Sequence, residues 1–136
     1  MIGLPKSKAK KKKKKRKKST PRTVIMNKLD KLSAAKCREQ GFCTICEKTS
    51  SRLNAHHYKG RTYKGTRWYQ PNLICLCVQC HTFNPFFSAH RTPEDFKKKM
   101  RKLNGQKWHN DIQRRAVDHK SWKMADLEKL LESYLD

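Results

Sequence analysis

Residues 43–81 read CTICEKTSSRLNAHHYKGRTYKGTRWYQPNLICLCVQCH. Two sets of side chains interleave here. The first is four thiols in two C-x-x-C pairs, Cys43/Cys46 and Cys77/Cys80. The second is polar: the doublet His56-His57, then Asn72, then His81 directly behind the last cysteine. A thiolate pair spaced this way takes two corners of one tetrahedral metal, and a second pair closes the site. The spacing predicts a structural zinc on Cys43, Cys46, Cys77 and Cys80. A disulfide reading needs an oxidising compartment, and no apolar segment of signal-peptide type follows the charged N-terminus. Cys75 is a rival ligand. On a strand it shares a face with Cys77 with only one residue between them, so it is expected to be buried and unligated.

Thirty residues separate Cys46 from Cys77, more than a bare zinc ribbon needs. The insert holds the polar set, so it has room for a function beyond the staple. Adjacent residues on a strand point to opposite faces. His56 and His57 therefore cannot chelate one ion together without distortion, but they can divide the labour. One can ligate a metal while the other acts as a base, since imidazole titrates near neutral pH. The bland alternative, three unrelated polar histidines, fits a lone residue better than three placed around one metal frame.

The 136 residues include 34 Lys and Arg against 11 Asp and Glu, a formal charge of +23. Twelve of the basic residues and no acid lie in 1–22, so 23–136 still carries +11. A polyanion is the expected partner, nucleic acid before a membrane surface. No apolar run approaches the length of a membrane span. An apolar content of 35% is thin for one domain, which strengthens the case for a staple.

Residues 1–22 are low in complexity, with an unbroken Lys/Arg run from Lys10 to Lys18. Like-charge repulsion predicts a disordered arm that lies along phosphates through residues such as Lys10, Lys11, Lys12, Lys13, Lys14 and Lys15. Residues 23–136 read as a single domain. Thr23 to Glu39 is an expected helix with Ile25, Leu29, Leu32 and Lys36 on one face and Gly41 as its cap. Cys37, near its end, reads as a small packed hydrophobe. Phe42 to Asn54 looks like a knuckle, Leu53 to Tyr58 and Leu73 to Cys77 like short strands, and Val78 to Phe83 like a short helix. Strand, loop, strand and helix make a ββα unit. Between the strands lies a basic, aromatic loop, with Lys59, Arg61, Lys64 and Arg67 as expected phosphate contacts. Trp68 and Tyr69 either stack on an unpaired base or pack the loop. Thr92-Pro93-Glu94-Asp95 is a helix start. Phe96, Met100 and Leu103 line that helix until Gly105. Trp108, Ile112 and Ala116 mark a second helix, and Leu127, Leu130, Leu131 and Tyr134 a third. His90, His109 and His119 read as ordinary.

The order C-x-x-C, His-His, Asn, C-x-x-C-His resembles the HNH endonuclease family in its zinc-bearing form. The wider chain is similar to the phage NinG/Rap group of recombination endonucleases. The shared features are Leu29-Asp30-Lys31-Leu32, Thr66-Arg67-Trp68, Pro85-Phe86, Asn104-Gly105-Gln106 and a final acidic-apolar helix. The chain departs from that group in having His-His where Gly-His is common and Cys-His where Cys-Asn is common. The resemblance implies a small α+β fold: a ββα-metal (His-Me finger) core over about 42–90, stapled by zinc, with flanking helices and a helical extension over 91–136. It further implies that His57 is the general base, that His56 and His81 hold a divalent cation, Mg2+ or Mn2+, and that Asn72 is structural. Arg61 and Arg67 are candidates for clamping phosphate. The function so implied is metal-dependent cleavage of DNA, nicking or double-strand, in phage recombination or genome processing, within the cytoplasm of an infected bacterium. RNA is an open alternative substrate. A non-catalytic zinc-stapled nucleic-acid-binding module is the competing function.

Overall fold

A computed structural model describes residues 13–118 and 121–136. Lys10, Lys11, Lys12 and His119 lie outside the described residues. Lys13, Lys14 and Lys15 are exposed and without regular structure, as are the residues up to Thr20. Helix α1 spans Pro21–Arg38, so it starts ahead of the expected boundary at 22. The reason is local. The Thr23 N–H donates to the Thr20 hydroxyl at 3.2 Å, which makes Thr20 the N-cap, and Pro21 then occupies the first position, where its missing N–H costs nothing. Gly41 lies just past the other end with φ +79°, a conformation that disfavours a Cβ.

Strand β1 (Leu53–His57) pairs antiparallel with β2 (Leu73–Cys77), in the register Leu53 to Cys77, Ala55 to Cys75, His56 to Ile74 and His57 to Leu73. A single 3₁₀ turn, Gln70–Asn72, leads into β2, and a π-helical turn, Gln79–Phe83, follows it. Helices α2 (Pro93–Asn104), α3 (Gln106–Asp118) and α4 (Met124–Leu135) complete the chain. None of the described helices is long and apolar enough to cross a membrane.

The two-stranded sheet is covered on both faces. From β2, Ile74 and Leu76 enter the main core with Tyr58, Phe96, Met100 and Ile112, on the side of α2 and α3. Leu73 and Cys75 point the other way and pack with Cys37 of α1. A third cluster, Leu29, Trp68 and Leu127, joins α1 to α4 through Trp122, Leu130 and Tyr134. The apolar side chains are thus spent in three small clusters rather than one large one. This layering splits the histidine doublet: His56, opposite Ile74, faces α2, and His57, opposite Leu73, faces α1.

One local expectation is corrected and two are narrowed. The buried row of α1 is Leu29, Ser33 and Cys37, and Lys36 is exposed, because the helix leans a small residue over the 3₁₀ turn. There the Gln70 Nε2 donates to the Ser33 carbonyl at 3.0 Å. Thr92 is the N-cap residue of α2 and Pro93 its first residue, as expected, but the Thr92 side chain makes no capping bond, since its hydroxyl donates to the Ser88 carbonyl at 3.0 Å. Trp68 is 3% exposed and inside the α1–α4 core, so it packs the loop and presents no face to a base. Cys75 meets its expectation at 1% exposure.

Candidate active site and metal centre

The turn after α1 brings Cys43 and Cys46 against the end of β2. Backbone pairing fixes this: Thr44 N–H donates to the Cys75 carbonyl at 2.9 Å, and Cys43 N–H to Lys48 at 3.0 Å. The Sγ atoms of Cys43, Cys46, Cys77 and Cys80 all lie within 4.8 Å of one another. Cys46 and Cys77 are 3.7 Å apart, far longer than the ~2.05 Å of a disulfide. A tetrahedral zinc with Zn–S near 2.3 Å requires sulfur atoms about 3.8 Å apart. The donor set therefore fits a structural metal, as its spacing predicts. Electrostatics point the same way. Burial raises the Cys43 thiol, but backbone N–H groups of Cys46, Cys77 and Ile45 outweigh it and bring it down to about 7. Burial and the neighbouring thiols push Cys46 and Cys80 up. The Cys43 thiolate forms readily and, with burial, discourages ionisation of Cys46 and Cys80, a penalty that a bound divalent cation would offset. Cys37 is different: burial pushes it up to about 12, the mark of an inert packed thiol.

On the α2 side of the hairpin, His56 meets two other imidazoles. The ring centroids of His56 and His81 are 5.2 Å apart, those of His56 and His90 5.2 Å, and those of His81 and His90 4.6 Å. Each ring offers a nitrogen within 4.8 Å of the others. His90 is the residue that the sequence reading misses. A tight return places it: Ala89 N–H bonds the Cys80 carbonyl at 2.9 Å and His90 N–H the His81 carbonyl at 3.0 Å. The cue available in sequence was the Asn84-Pro85 break, which turns the chain back after His81. Burial, then the charges of His81 and His90, hold His56 down at about 3. His81 is lowered by burial and then by His90. Neutral imidazoles are the form that ligates a metal.

On the α1 side, His57 Nε2 is 3.0 Å from the Arg67 carbonyl. A carbonyl only accepts, so Nε2 carries the proton and Nδ1 keeps its lone pair. Asn72 is 0% exposed and pins the loop that supplies that carbonyl. Its Oδ1 accepts from Lys59 N–H at 2.7 Å, while its Nδ2 donates to the carbonyls of Lys59 at 3.1 Å and Thr66 at 3.0 Å. Its place is structural, as the resemblance implies. Asn72→Ala would leave buried backbone groups unpaired, a loss of about 3 kcal/mol or more. The expected result is a melting temperature lower by roughly 10–20 °C, read by circular dichroism.

His56, His57, His81 and His90 all open onto one cleft of about 770 Å³, whose rim carries Lys31, Arg38, Arg61 and Lys97. Of the expected phosphate contacts, Arg61 is on this rim. Lys64 is exposed, and Lys59 is tied to Gln113 at 2.9 Å. Arg67 is held by Asp30 in a two-point ion pair and its side chain is 14% exposed, which takes it out of the set facing solvent. Lys31, Arg38 and Lys97 join that set from α1 and α2, elements the loop-centred reading did not consult. His109 serves packing, 2.6 Å from the Tyr58 hydroxyl. Compared with protein-family models, curated proteins and solved structures, the chain matches none.

Proposed function

We propose that this chain is a metal-dependent endonuclease of the HNH kind, with a zinc-stapled ββα-metal core, that hydrolyses phosphodiester bonds of DNA. The observation that carries the reading is the split doublet. His56 joins a three-imidazole set on one side of the hairpin, His57 is held with a free Nδ1 on the other, and both open onto one cationic cleft. A charged cleft attracts and concentrates a phosphate backbone.

The residues then divide as follows. Lys31, Arg38, Arg61 and Lys97 hold the backbone in the cleft. His56, His81 and His90 would hold a divalent cation, which when bound would supply Lewis-acid polarisation of a phosphoryl oxygen and offset charge on the leaving oxygen. His57 Nδ1 takes a proton from water as that oxygen bonds to phosphorus. One P–O ester bond breaks, and the departing oxygen takes a proton from solvent. Three nitrogen donors favour Mn2+, Co2+ or Ni2+ over Mg2+, which prefers oxygen. His90→Ala should weaken Mn2+ binding by at least about 10-fold, measured by calorimetric titration of the zinc-loaded protein. Affinity unchanged in that variant would remove His90 from the set.

The test is incubation of end-labelled single-stranded DNA, duplex DNA and RNA with the protein and each cation. Metal-dependent cutting of DNA is the expected result. Cutting of RNA alone would redirect the substrate, and salt-sensitive binding without cutting of any strand would favour a binding module. Arg61→Ala is expected to weaken DNA binding and lower its salt dependence by about one charge. Its exposed ion pair contributes only about 0–1 kcal/mol, so the melting temperature should move little.

A further inference from the structure

Asp30 lies on α1, ahead of the first C-x-x-C pair, yet its carboxylate collects four donors from the loop between the strands. Arg67 gives Nε at 2.8 Å and Nη2 at 2.6 Å, Arg61 gives Nη2 at 2.8 Å, and Trp68 gives Nε1 at 2.8 Å. Burial works against the charge, but the bonds from Arg67 and Trp68 outweigh it and hold Asp30 below the usual carboxylate range. Arg67 and Trp68 are consecutive, so one carboxylate anchors two neighbouring side chains to a helix.

The backbone of that segment is equally constrained. The Thr66 carbonyl accepts from Asn72, the Arg67 carbonyl is met by His57, and the Trp68 carbonyl accepts from the Tyr134 hydroxyl of α4. Asn72 and Tyr134 fix the two outer peptides. The middle carbonyl is the one that orients His57, and the Arg67 side chain on the same residue is held by Asp30 alone among the described ion pairs. Charge-assisted, two-point bonding of a guanidinium gives direction as well as strength.

We propose that Asp30 is a positioning residue for His57: through the Arg67 fork it sets the carbonyl that holds the His57 ring. The inference rests on the reading of His57 as the base. It also separates the two arginines. Arg67 is the fixed strut. Arg61, 58% exposed and sharing Oδ2 with Arg67, is the one able to swing to a phosphate without releasing the loop.

Asp30→Asn in the full, zinc-loaded chain tests this. Asn keeps the volume but turns an amide N–H2 toward the guanidinium donors. The single-turnover cleavage rate at saturating protein should fall about 10–100-fold, the scale of a small misplacement of a reacting group, with DNA affinity within about two-fold. Asp30→Glu, which restores the carboxylate, should recover part of the rate. A spectroscopic readout stands apart from activity: nitrogen–proton correlation spectra should show His57 as one Nε2–H form in wild type and as a tautomer mixture in Asp30→Asn. A wild-type rate and spectrum in Asp30→Asn would overturn the proposal, as would a lost rate with the His57 signal unchanged. Should Asp30→Asn fail to fold, Arg67→Lys keeps the charge and loses the fork. It should mix the tautomers likewise, and an unmixed signal there would overturn the proposal. If wild type cuts nothing while the signal shifts as described, the positioning holds and the nuclease reading fails.

Discussion

Replacing His57 by alanine is expected to lower the rate of DNA cleavage by about 10²–10⁴-fold, the usual contribution of a positioned base. DNA affinity should stay within about two-fold, because the loss falls on the transition state. Two features place the effect at the chemical step. His57 is not among the three imidazoles that meet on the α2 side of the hairpin, so cation binding should survive the change. The cationic residues at the cleft rim stand on α1, the loop and α2, so backbone binding should survive as well. Cation affinity and DNA affinity measured on the same variant check both points. A parallel loss of either would mean that His57 supports the site rather than acting in it.

The second large effect concerns the staple. Cys43→Ser or Cys80→Ser should reduce bound zinc from one per chain to near none, read by metal analysis, and should abolish the cooperative melting transition at ordinary temperatures. Structural zinc in small domains contributes about 10–16 kcal/mol of binding free energy that is also folding free energy, against a whole-domain stability of roughly 5–15 kcal/mol. The geometry explains why nothing replaces it here. The thiol cluster joins the turn after α1 to the end of β2, and Cys43 and Cys80 are themselves part of the main core. Cys75→Ala is the control. It removes a buried thiol from the other face of the sheet, so it should cost about 1 kcal/mol and keep the metal. Acid should act in the same direction as the cysteine changes. The Cys43 thiol is held down to about 7, so the stability it adds is present at alkaline pH and declines as pH falls through that value. A bound cation moves this window lower.

Sequence made the frame legible where chemistry demands fixed spacing. Two C-x-x-C pairs imply one tetrahedral site whatever lies between them, and the Sγ distances agree. Alternation along a strand separated His56 from His57, and the register confirms which side each takes. What stayed hidden depends on how distant elements meet. His90 has no motif spacing from His81; only the backbone return after the π turn brings their ring nitrogens to 3.0 Å. Arg67 reads as a phosphate contact, and Trp68 as either a stacking platform or a packed residue, because loops rich in aromatic and basic residues support both. An acid far up the chain, Asp30, draws both inward instead. The shifted face of α1 has the same origin: Ser33 is buried because Gln70 and Tyr134 meet beside it, a tertiary fact that no helical period encodes.

The most direct measurement is cleavage of supercoiled plasmid by the zinc-loaded protein, with Mn2+, Co2+ or Mg2+ added or withheld, comparing wild type with His57→Ala. Conversion to nicked or linear DNA by wild type only when a cation is added, and its loss in the variant, is the expected result. Equal cutting by the two proteins, or no cutting by wild type with any of the three cations while salt-sensitive DNA binding persists, would contradict the assignment of this cleft as a nuclease site.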